Sequence, residues 1–156
     1  MAPSDSPFVV LSYVGGPALL TNATSVFILS TSNRFARAID RARFLSAMPD
    51  GERQAFAGEL RSVHGRVAHM ARAMACLYIA LTCFALGTAI AIGGAAVAEF
   101  SDARGLMVAF AGAGIAGAIG FAAFVTGAGF LVVESRAAMK AVLREADAAL
   151  ASLPKS

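Results

Sequence analysis

The sequence predicts an all-α membrane protein whose three transmembrane helices extend on one side of the bilayer into a small helical bundle. Three observations predict it. Of the 156 residues 58% are apolar, and the mean hydropathy of +0.69 is too high for an ordinary soluble domain of this size. Only 15% of residues are charged, and they gather into blocks that leave long stretches without charge. Three of those stretches reach the roughly 20 residues that a helix needs to cross the hydrocarbon core. The length suits one membrane domain covering residues 1–156.

The first apolar stretch, residues 8–32, is interrupted by Gly15, Gly16 and Pro17. A proline after two glycines either opens a helix in its first turn or kinks one already under way. The expectation is a fresh start near Pro17, so that span one covers about 17–33 and residues 8–14 form a short interfacial or re-entrant piece. Met1 to Pro7 holds Asp5 and no lysine or arginine, which is unlike a secretory leader, so this segment is expected to stay in the mature chain.

Span two is expected over 73–98 and span three over 105–133, joined by a tight polar turn at 99–104. Basic residues set the orientation, because they accumulate on the cytoplasmic side. Residues 34–72 hold eight arginines and the segment after Val133 holds four basic residues, against Arg104 alone on the other side. The amino terminus is therefore expected outside, with the loop and carboxyl terminus in the cytoplasm.

Both cytoplasmic segments, 34–72 and 134–153, carry helical periodicity. Phe56, Leu60, Val63, Val67, Met70 and Met74 recur at spacings of 4, 3, 4, 3 and 4, a heptad-like seam leading into span two. Met139, Val142, Ala146, Leu150 and Leu153 repeat the pattern after span three, and Phe35, Ile39 and Ala42 do so after span one. Three extensions packed together would make a small bundle, with Pro49, Asp50 and Gly51 as the turn between the first two.

Span one is the most polar, with eight serine, threonine and asparagine residues in thirteen positions. At about 100° per residue, Thr21, Ser25 and Ser32 lie close together with Asn22 beside them, opposite Leu19, Ala23, Val26 and Phe27. Such a face avoids lipid, so it makes hydrogen bonds between helices or lines an aqueous pathway in an oligomer.

Span three contains Gly112, Gly114, Gly117 and Gly120, which literally match the glycine pattern of a dinucleotide-binding turn. That pattern needs a preceding strand and a soluble βαβ unit, and neither is expected here. Small residues four apart let backbones approach closely, so Gly112, Ala113, Ala116, Gly117 and Gly120 read as a packing surface within or between subunits, or as a flexible pore-lining face.

Glu134 stands at the cytoplasmic mouth of span three, level with Arg34 and Arg37. With Asp40 and Arg41 these form a candidate interfacial ion-pair group, the plainer reading being ordinary anchoring charges at helix ends. Cys76 and Cys83 are seven apart, about 10 Å along a helix and too far for a disulfide, and read as small apolar residues. His64 and His69 point about 140° apart on one helix and make poor joint metal ligands. No residue set suggests catalysis, a cofactor, a metal, a nucleic acid or a small-molecule substrate.

Taken together, Pro17-Ala-Leu-Leu, Asn33-Arg34, the run Ile39-Asp40-Arg41-Ala42-Arg43 and the helical loop into span two carry a resemblance. From Pro17 to about Leu150 the chain resembles a bacterial family of short membrane proteins catalogued as a domain of unknown function, number twenty-seven twenty-one. In that family an acidic residue follows span three, where Glu134 stands. The alanine- and glycine-rich third span departs from the family's leucine-rich pattern. The resemblance implies a bacterial inner-membrane location and supplies no activity, substrate or cofactor; with the orientation read from the arginines, the amino terminus is expected in the periplasm. The functional expectation is a non-enzymatic scaffold or accessory subunit that self-associates or attaches to a membrane-protein partner. The competing expectation is a homo-oligomeric channel lined by the polar face of span one or by span three.

Overall fold

The computed structural model describes residues 7–96 and 103–151, and among them every regular element is helical. Helix α1 runs Pro7–Ser46, the short α2 Asp50–Ala55, α3 Ala57–Ala96 and α4 Ala103–Ala151. The long helix α3 is central. Helix α1 packs antiparallel along one side of it and α4 antiparallel along the other, while α1 and α4 touch each other much less.

The packing follows a seven-residue rule. Among the described side chains of α1 the buried positions are Thr24, Thr31, Ala38 and Leu45, each seven apart. On α3, Val63, Met70, Leu77, Phe84 and Ala91 form one such row, and Ala73, Ala80, Gly87 and Gly94 form another. On α4 the row is Ala113, Gly120, Gly127 and Glu134. A strict seven-residue repeat keeps one stripe of an under-wound helix facing its neighbour, the pattern of left-handed coiled-coil packing. Close approach along α3 and α4 needs glycine. A Cβ on Gly120 would lie 2.9 Å from the Phe84 ring, and one on Gly127 would lie 3.2 Å from the Ala73 carbonyl oxygen.

Among the described residues two helices are long and apolar enough to cross a membrane. Within Ala57–Gly94 and Met107–Arg144 the most apolar stretches have mean hydropathies of 2.1 and 2.0, and protein covers only 28% and 17% of them. A soluble core helix of that composition would be mostly covered. Helix α1 has the length, at 40 residues, but its hydroxyl- and amide-rich stretch lowers its hydropathy.

Three expectations change. Helix α1 does not start at Pro17; it begins at Pro7 and continues through Pro17, so residues 8–14 belong to the same helix. The proline removes one N–H from the ladder, a loss that a long helix tolerates. The turn after α1 is residues 47–49, and Asp50 and Gly51 already open α2 with Pro49 as its N-cap. Arg53 holds this turn, donating to the Met48 carbonyl oxygen at 2.7 Å and pairing with Asp50 at 3.0 Å. Phe56 caps α2 rather than beginning the seam of α3.

The third change concerns the tail. Helix α4 continues to Ala151, yet Met139, Val142, Leu143 and Leu150 are all exposed, so its apolar stripe does not pack on α1 and α3. The extensions of α1 and α3 pair with each other and the tail projects free of them. Of the expected polar turn at 99–104, residues 99–102 lie outside the described residues, as does Leu153, and Ala103 and Arg104 begin α4.

Candidate functional site: a carboxylate shared by three helices

The heptad row of α4 ends on a charge. Glu134 follows Gly127 by seven residues, so the register that seats glycine against α3 also turns this carboxylate inward, where its side chain is 0% exposed. A buried carboxylate is costly unless paired and hydrogen-bonded. Two arginines meet that need from different helices. Arg66 of α3 donates Nε–H to Oε1 at 3.0 Å, and Arg34 of α1 donates from Nη2 to Oε2. The same Nη2 lies 3.2 Å from the Ser135 hydroxyl oxygen.

Two guanidinium groups and one carboxylate leave the triad with one net positive charge. The arginine side chains are 36% and 34% exposed, so that charge faces outward while the carboxylate is enclosed. Residues 34, 66 and 134, far apart in the chain, are thereby held at one level of the molecule.

The neighbouring charges extend the group unevenly. Arg41 pairs with Glu59 of α3 at 2.7 Å. Arg37 donates to the Asn33 carbonyl of its own helix at 3.2 Å, and Asp40 is exposed with no ion pair among the described residues. A basic cleft of about 380 Å³ lies between α1 and α3, lined by Arg34, Arg37, Arg41 and Arg66 over the apolar floor of Val63 and Met70.

The polar residues of α1 divide. Thr24 and Thr31 are buried, Thr21 and Ser32 are half-buried, and Asn22 and Ser25 are exposed. Their hydroxyls mostly serve their own helix: Thr21, Thr24, Ser25 and Thr31 donate to the carbonyls four residues back at 2.7 to 2.9 Å. Ser32 reaches across, with its hydroxyl 3.8 Å from the Met74 sulfur. Internal bonding of this kind lets a hydroxyl sit beside apolar surface at little cost.

The small residues of α4 divide too. Ala113, Ala116 and Gly120 are buried on α3, whereas Gly112 and Gly117 sit half-buried at the edge of that seam. Ile90 Cγ2 is 4.0 Å from where a Gly112 Cβ would stand, and the Gly117 backbone nitrogen is 3.9 Å from the corresponding position on Gly87. His69 donates its Nδ1–H to the Gly65 carbonyl oxygen at 2.8 Å and lies edge-on to Phe130; His64 is exposed. Cys76 and Cys83 are free thiols, half-buried on the α4 side of α3.

Sequence reasoning misses Arg66, Glu59 and Gly127. A signal for two of them exists: Arg66 stands seven before Ala73 and Gly127 seven after Gly120, so both lie on the rows that meet. Glu59 carries no comparable signal.

Residues 15–144, which include every member of the triad, match the family described as Protein of unknown function (DUF2721). No curated protein and no solved structure matches the chain.

Proposed function

The chain belongs to the DUF2721 family, and from that premise we propose that it is a three-span protein of the bacterial inner membrane that self-associates as a non-enzymatic scaffold or accessory subunit. The reading of α1 as a span is supported by its length and by the internal bonding of its hydroxyls, which lowers the cost of placing them in lipid. The Arg34, Arg66 and Glu134 triad marks the cytoplasmic boundary. Beyond it lie the basic extensions, whose arginines support a periplasmic amino terminus and a cytoplasmic carboxyl terminus.

The observation that carries self-association is the free tail of α4. From Met139 to Leu150 it presents Met139 at 61%, Val142 at 60%, Leu143 at 56% and Leu150 at 66% exposure along one stripe. A helix of this length is marginal in water without a packed face. Covering each of these side chains contributes on the order of 1 kcal/mol, and a second copy offers a matching stripe in a symmetric pairing.

A homo-oligomeric pore is the competing reading, for which Asn22 and Ser25 are the exposed polar residues available to an axis. Thr24 and Thr31 are buried within the helix packing, which leaves that reading without a continuous polar line. Native mass spectrometry of the detergent-solubilised protein tests both. The wild type should run as an oligomer and Leu143→Glu as a monomer; a monomeric wild type overturns the proposal. Ion flux in liposomes that Ser25→Leu abolishes would establish the pore instead.

A further inference from the structure

We infer that the groove between α1 and α4 is a binding site for one anionic phospholipid of the cytoplasmic leaflet. The inference rests on the reading of α1 and α4 as membrane spans. Both helices pack on α3 and touch each other only thinly, and a groove of about 650 Å³ remains between them. Its inner end is bounded by Phe27, whose ring meets Phe124 edge-on at 5.3 Å. Its walls are mostly apolar, with Ala128, Leu131 and Val132 from α4 facing Phe27 and Thr31 from α1, where Ser30 adds one hydroxyl. Thr31 adds no free donor there, because its hydroxyl is bonded to the Phe27 carbonyl at 2.7 Å.

At the other end the lining supplies Arg34, Ser135 and Arg136, with Met139 at the rim beyond them. Arg136 is exposed and has no ion pair among the described residues, and Arg34 belongs to a triad with one net positive charge. Helices α1 and α4 run parallel, so both walls turn from apolar to basic in the same direction. Seven residues separate Phe27 from Arg34, about 10 Å along the helix. That distance covers a phosphate and glycerol at the basic end and the first acyl carbons at the apolar end. Charge and polarity therefore match an acidic diacyl lipid whose chains point into the bilayer, and basic pockets between helices on the cytoplasmic side have this chemistry. A free phosphate would satisfy the arginines and leave the apolar wall unused, so the site commits to the lipid.

The test uses the full chain in detergent, with native mass spectrometry after addition of phosphatidylglycerol, phosphatidylcholine or soluble glycerol phosphate. One phosphatidylglycerol should be retained at least fivefold more tightly than phosphatidylcholine, and glycerol phosphate should not displace it. Arg136→Gln should lose about fivefold in phosphatidylglycerol retention, the scale of one basic residue near an acidic lipid. Leu131→Trp, which fills the groove, should reduce retention of both lipids, and Lys140→Gln, on the free tail, should leave it unchanged. Equal retention of the two lipids, displacement by glycerol phosphate, or an unaltered Arg136→Gln variant each overturns the site. Alkaline carbonate extraction of membranes separates this from failure of the spanning reading. A chain that stays in the membrane pellet but shows no lipid preference rejects the groove alone; a chain released to the supernatant rejects the spans themselves.

Discussion

Glu134 concentrates the consequences of single substitutions. Its carboxylate is enclosed and answers two arginines, so Glu134→Gln leaves two guanidinium groups facing a neutral amide that can accept from one side only. A loss of about 2 kcal/mol is expected, below the value for a fully enclosed pair because both arginines are partly solvated. Thermal unfolding in detergent should show it as a lowered midpoint. Arg34→Ala and Arg66→Ala should each cost less, since the carboxylate keeps one partner. Glycines give a second contrast. Gly120→Val drives new atoms into the Phe84 ring and should destabilise by about 1 to 3 kcal/mol. Gly65→Ala meets no atom within 4 Å and should stabilise α3 by about 0.5 to 1 kcal/mol. Glu134 and Arg34 were both legible as charges at helix ends. That they share a site with Arg66 was not, because their meeting depends on how three helices are registered.

Among the elements, α1 shows that a breaker residue is a weak boundary. Pro17 costs one backbone hydrogen bond, whereas ending the helix there would expose several unpaired groups at both new ends. Restoring the donor with Pro17→Ala should slow hydrogen exchange at the amides of the turn around position 17, leaving α3 and α4 unchanged. The tail of α4 is the opposite case. Its heptad-like spacing predicts a helix, and a helix forms, but spacing reports that a stripe exists and not what covers it. In Leu143→Glu, amides beyond Met139 should exchange quickly, because the isolated tail has no packed face to hold it. Protection there equal to the wild type would mean that the tail needs no partner.

For the whole molecule, the antiparallel sequence of α1, α3 and α4 gives the topology a prediction of its own. With Cys76 and Cys83 replaced by serine, a cysteine introduced at Ser4 or Asp102 should react with an impermeant reagent from outside, and one at Gln54 or Ser152 should not. The reverse pattern would overturn the orientation read from the arginines. The same arrangement explains why α1 and α4 leave a groove: two helices that each satisfy a seven-residue row on α3 have no row left for each other.

By itself the sequence determined the all-helical class, the apolar stretches, the polar character of α1, the clustering of arginine and the presence of seamed extensions. All of these are properties of contiguous residues, set by composition and by the 3.6-residue period. Only the tertiary structure decided that Thr24 and Thr31, rather than Ser25, turn inward, that Arg66 joins Arg34 on one carboxylate, and that the tail stands apart. Those outcomes follow from the register between helices, which glycine contacts such as Gly120 on Phe84 establish across more than thirty residues of chain. No local pattern encodes an offset between segments that distant.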